Sequence, residues 1–153
     1  KVDGEDLFAR VSDPFARSTF NNDWTSATFG SAITAHYDNV NYPIVVTNKG
    51  CITQKWALIF TSTTAFRIVG ETLGEIGTGS INTPTAPINP NVSVPYFSMS
   101  ELGFGSGWSV GNVVRFNTQG SQYPLDIVRT VLMSDASTLK DSFRLQINGD
   151  INQ

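Results

Sequence analysis

Hydrophobic and polar positions alternate most cleanly over residues 55–71, KWALIFTSTTAFRIVGE. Trp56, Leu58 and Phe60 fall on one side of an extended chain, and beyond TSTT the residues Phe66 and Ile68 alternate with Arg67. Period-two patterning on both sides of a short polar loop predicts a β-hairpin with one strongly apolar face. Such a face needs a second sheet, or closure into a barrel, to cover it. Residues 142–148 show the same alternation, with Phe143, Leu145 and Ile147 set against Ser142, Arg144, Gln146 and Asn148. These two stretches are expected to share one core.

Shorter runs fill the rest of the chain. Residues 33–37, 43–47, 112–116 and 126–133 read as strands, with DNVN at 38–41, NKG at 48–50 and QGSQYP at 119–124 as turns between elements. Gly50 suits a turn that needs positive φ, and Pro43 suits a strand start, where its missing donor does least harm. Residues 72–81 carry Gly74, Gly77 and Gly79 and read as a glycine-interrupted strand or a loop, with a bulge as one outcome. Residues 83–95, TPTAPINPNVSVP, hold Pro84, Pro87, Pro90 and Pro95 and predict a long surface excursion, since proline removes ladder donors. Segments of that kind tend to be contact elements.

Residues 1–30 are the least regular. Ser12 or Asp13 could cap a helical turn with Pro14 at its first position. Leu7, Phe8, Phe15, Phe20, Trp24 and Phe29 are too many large apolar groups for a free tail, so this arm is expected to pack on the domain or on a neighbouring subunit. The pattern as a whole predicts an all-β, antiparallel fold, a sandwich or barrel of about eight short strands. The division expected is an arm over 1–30 and a β-sandwich domain over 31–153, with the sandwich preferred to the barrel.

Composition narrows the function. Charged residues make up only 15% of the 153, so neutral polar groups carry the surface, which suits burial in an assembly. A net charge of −3 and a pI near 4.9 argue against nucleic acid as a partner. No apolar run approaches the ~20 residues of a membrane helix, so no membrane insertion is expected. The first residue is Lys1, not Met, and a longer parent chain is the expectation.

Candidate chemistry is sparse. His36 is the one histidine, and Ala35, Tyr37 and Asp38 around it form no nucleophile context, so a structural or solvent-facing role is expected. Cys51 is the one cysteine and cannot form a disulfide within a copy. Asp135, Asp141 and Asp150 lack metal-site spacing, and no pair among the thirteen acids is singled out as a glycosidase couple. GFGSGW at 103–108 lacks the phosphate-loop pattern and reads as turn geometry. Asn91-Val92-Ser93 is a formal glycosylation acceptor with no secretory signal to support it. No catalytic residue, metal or cofactor is expected. Trp108, delivered by the glycine-rich turn, could join Tyr96 and Tyr123 in a recognition surface that stacks sugars, core packing being the competing explanation.

Four stretches taken together resemble a known family: WALIFTSTTAFRIVGETLGEIGTG at 56–79, APINPNVSVPYF at 86–97, GFGSGWSVGNVVRFNT at 103–118 and DSFRLQINGDI at 141–151. Their order and spacing are similar to the C-terminal region of virion structural proteins of tailed bacteriophages, described as tail or tail-associated proteins. The resemblance covers 45–151 and leaves the first 40 residues out. It implies a structural, non-enzymatic role in the tail, baseplate or tail-tip apparatus, with the tail preferred to the head. The partners it implies are other copies of the chain and other virion proteins. Two rivals stand beside it: a carbohydrate or host-receptor-binding module at the tail extremity, serving host attachment, and a head decoration protein. The family carries no catalytic residues over to this chain.

Overall fold

The computed structural model describes residues 9–25 and 31–120. Eight strands run through them: β1 (Arg10–Val11), β2 (Phe15–Arg17), β3 (Gln54–Phe60), β4 (Ala65–Gly70), β5 (Gly74–Ser80), β6 (Ile88–Asn89), β7 (Val94–Pro95) and β8 (Val113–Gln119). All pairing is antiparallel. The main sheet has the order β1-β8-β3-β4-β5, with β2 also on β8, and β6-β7 form a separate hairpin. The fold is all-β, as the alternation predicts.

The central hairpin forms where the pattern places it. Leu58 lies opposite Ile68, Phe60 opposite Phe66, and on the other side Trp56 opposite Phe116 and Leu58 opposite Val114. This register puts Trp56, Leu58, Phe60, Phe66, Ile68, Val114 and Phe116 on one face, and all are buried. The loop closes through Thr61 N–H donating to the Ala65 carbonyl at 2.9 Å, and Ser62 Oγ accepts from Ala65 N–H at 2.9 Å. Next to it, β5 is a strand with a bulge: Ile68 pairs with Gly77 but Val69 with Glu75, so Ile76 is the extra residue.

A second, irregular layer covers the apolar face. It contributes Ala35, Tyr37, Ile44, Tyr96, Phe97, Met99 and Trp108 to the same core. Trp56 lies 5.4 Å from Tyr96 and 5.1 Å from Phe97, and Phe97 meets Phe116 edge-on at 5.0 Å. The strands expected over 33–37 and 43–47 are not formed; each stretch makes only a single bridge, Tyr37 to Phe104 and Val45 to Ser98. Side chains have taken the backbone donors between them. Asp38 Oδ1 accepts from the N–H groups of Val40 (3.1 Å) and Asn41 (3.0 Å), and Asn39 Oδ1 from that of Ile44 at 2.9 Å. Local bonds of this kind compete with a ladder. The amide of Asn41 also binds the Asp38 carboxylate, which holds that group below its ordinary range.

The arm departs from expectation too. No helical turn forms at Ser12–Pro14; Ser12 N–H donates to the Asn117 carbonyl at 2.8 Å, and Ser12 Oγ accepts from Asn117 N–H at 2.6 Å. The unpaired edge of β8 offers backbone partners that a capped turn lacks, and Pro14 falls in the gap between β1 and β2. Through these strands the arm becomes part of the main sheet. Phe143, Leu145 and Ile147, with the strands expected over 126–133 and 142–148, lie outside the described residues.

Candidate contact surface

The proline-rich segment, expected as a long surface excursion, contains a short hairpin. Its prolines leave room for a two-rung ladder, Ile88 with Pro95 and Asn89 with Val94, and the hairpin is tied down at its root. Asn89 is fully buried; its Nδ2 donates to the Gly50 carbonyl at 3.2 Å while its Oδ1 accepts from Asn91 N–H at 3.1 Å. Ser93 takes φ of 55° to turn the chain back. Gly50 explains itself here. It does not take the positive φ expected of its turn; a Cβ on it would stand 2.1 Å from the Pro95 carbonyl oxygen, so glycine is required for close approach.

What the hairpin presents outward is uncharged, with Ile88 and Pro90 beside the polar Asn91 and Ser93. Ile88 is 56% exposed, and no residue from 83 to 95 carries a charge. Segment 94–99 lies between the hairpin's first limb, through the Thr85–Met99 bridge, and Val45, through the Val45–Ser98 bridge. Val45 is likewise more than half exposed. Behind the limb, a crevice of about 240 Å³ opens between β5 and 83–87, lined by Ile68, Ile76, Thr78 and Thr85 among others. The buried Thr85 hydroxyl has no hydrogen-bond partner among the described residues.

The second surface is made by the arm on the outer face of the main sheet. Phe15, Phe20 and Trp24 are each half-buried, with Phe20 and Trp24 edge-on at 4.9 Å. They gather around Arg115, whose pKa is lowered by burial, although Asp23 nearby opposes that shift. Nothing in the sequence signals this. The partners of Arg115 lie roughly 90 to 100 positions earlier in the chain.

Two of the three residues expected to form a recognition surface are buried. Trp108 is 3% exposed and Tyr96 4%, so neither offers a ring face to a sugar. Trp108 stacks on Phe60 and its Nε1–H donates to the Gly105 carbonyl at 2.7 Å; the glycine-rich turn folds the indole inward because Gly107, at φ of 95°, bends the chain toward the core. Burial also pushes the Tyr96 phenol up. Tyr123, Asp135, Asp141 and Asp150 lie outside the described residues. His36 is exposed, with Nδ1 3.3 Å from the Thr34 carbonyl. Cys51 is buried, and its thiol is pushed up to about 11 by burial. Among the described residues no three His, Cys, Asp or Glu side chains come together as a metal site, and no helix there is long and apolar enough to cross a membrane. No family model, curated protein or solved structure matches the chain.

Proposed function

We propose that the chain is a structural component of a tailed-phage virion, in the tail, baseplate or tail-tip apparatus, acting through contacts with further copies of itself and with other virion proteins. The phage assignment rests on the resemblance of the four sequence stretches. The three of them that lie within the described residues supply the central hairpin, β5, the proline-rich hairpin and β8. The observation that carries the mode of action is Ile88. It is an apolar side chain held 56% exposed on a hairpin that is anchored at Asn89 and free of charge. Docking such a hairpin removes apolar area from water and desolvates no ionised group, and its prolines and anchor reduce the entropy lost on ordering. No catalytic step is part of this reading. The glycan-binding rival needs exposed rings, and the burial of Trp108 and Tyr96 takes that support away.

Imaging the assembled particle tests it. The chain is expected in the tail with residues 83–95 against a neighbouring subunit. Ile88→Asp, at an exposed position that should leave folding intact, is expected to lower incorporation into particles. A particle without this chain, or one in which residues 9–25 and 83–95 both stand clear of neighbours, defeats the proposal.

A further inference from the structure

Arg115 lies opposite Phe15 in the β2–β8 ladder, so the two side chains share the outer face of the sheet. Its guanidinium carbon is 5.4 Å from the Phe15 ring centroid, 6.0 Å from that of Phe20 and 5.9 Å from that of Trp24. Its Nη2 donates to the Thr25 carbonyl at 3.0 Å. One cation therefore meets three rings and the backbone carbonyl that ends the stretch 15–25. It does so while only 7% exposed, where cation–π attraction is stronger than at an open surface. Asn112, just before β8, adds a bond from Nδ2 to the Ser18 carbonyl at 2.9 Å.

Residues 15–17 are laddered to β8 as β2 and Arg17 also bridges Ala32, whereas the bonds of residues 21–25 lie largely within the stretch. Asp23 N–H donates to Asn21 Oδ1 and Thr25 N–H to Asp23 Oδ1, and Ser18 N–H donates to the Ser31 carbonyl. Its rings are half-buried, whereas β3, β4 and β8 enclose the aromatic core on the other face of the sheet. A segment with little buried apolar area and exposed backbone bonds opens at a lower free energy than the core it lies on.

We infer that residues 15–25 are a strap closed over the outer face of the sheet by Arg115, and that the strap, β2 included, opens as a unit while β3, β4 and β8 stay folded. The three rings and the guanidinium separate together, because all three rings contact the same cation and Phe20 and Trp24 also contact each other.

Hydrogen exchange on the full chain, with acrylamide quenching of tryptophan fluorescence, reads this directly. Trp24 is half-buried while Trp56 and Trp108 are buried, so quenching reports the strap first. In the unaltered protein, amides of residues 15–25 should exchange faster than those of β3 and β4. Arg115→Met keeps an aliphatic stem without the charge and should speed strap exchange by about tenfold, on the order of one lost buried cation–π contact. β3 and β4 should be unchanged, and quenching should rise. Arg115→Lys should fall between, since an ammonium keeps the charge without the planar fork. The wild-type comparison decides the matter even if Arg115→Met fails to fold. Equal protection of strap and β3 in the unaltered protein overturns the inference. So does strap exchange that Arg115→Met leaves unchanged or raises only in step with β3 and β4.

Discussion

Phe60 and Trp108 stack face to face, with ring centroids 4.3 Å apart and planes within 3° of parallel. Phe66 and Phe104 extend the cluster, at 5.3 Å from Phe60 and 6.2 Å from Trp108 respectively. The glycine-rich turn thus serves the core of the central hairpin. Trp108→Ala should cost about 3–5 kcal/mol, as truncation of a buried aromatic does. Trp108→Phe should cost less, because it keeps a ring on Phe60 and loses the Nε1–H bond to Gly105. Urea denaturation of the two variants checks the order; an Ala variant as stable as the parent would place the indole outside the core.

The proline-rich hairpin stands or falls with the Asn89–Gly50 contact. Asn89→Ala leaves the buried Gly50 carbonyl and the Asn91 N–H without their partners, at about 1–3 kcal/mol for each group that water does not reach. Gly50→Ala should be worse for the hairpin, since the new methyl meets backbone at Pro95 and not a side chain that can swing away. Amide exchange across residues 87–96 is the measurement, with a marked rise expected in both variants and the larger in Gly50→Ala.

Inside the core, the Trp56 indole N–H donates to Thr118 Oγ1 at 2.8 Å, and that hydroxyl donates to the Ile52 carbonyl at 2.7 Å. Thr118→Val keeps the shape and strips both bonds, so a loss of about 1–3 kcal/mol per stranded group is expected. Thr118→Ser retains the hydroxyl and should lose less. Thermal unfolding of the pair separates the hydrogen bonds from the lost methyl.

Alkaline pH should destabilise the fold. The Cys51 thiol has its folded-state pKa raised from 9.0 to about 11 by burial, so between those values the unfolded chain releases a proton that the folded chain keeps. Stability from this group is fully present below about pH 9 and falls as pH rises toward 11, by at most about 1.4 kcal/mol per pH unit. Burial raises the Tyr37 and Tyr96 phenols as well, which adds to the decline above pH 10. Cys51→Ala should flatten the slope between pH 9 and 10 in a denaturation series.

The environments of Ile88 and Arg115 are not written in local periodicity. Period-two alternation sufficed for β3 and β4, because a strand with one dry face writes that face into every second residue. Cys51 and His36 could be counted, and Ser62 and Thr64 sat where a turn needed them. The layer over the sheet was not legible in the same way. Residues 33–37 alternate as a strand does, with Ala35 and Tyr37 buried and His36 exposed, yet they make no ladder beyond the single Tyr37–Phe104 bridge. Periodicity records which side chains face inward and is silent on what the backbone binds. The local bonds from Asp38 and Asn39 decided that. Trp108 turned inward because the hairpin left a flat ring, Phe60, for it to cover. The proline-rich stretch became an anchored hairpin because the Gly50 carbonyl was within reach of Asn89. Arg115 acquired its rings because β2 pairs beside it, across most of the chain's length. Alternation is local and survives in the sequence; the partner that satisfies a buried carbonyl, ring or cation is set by three-dimensional proximity.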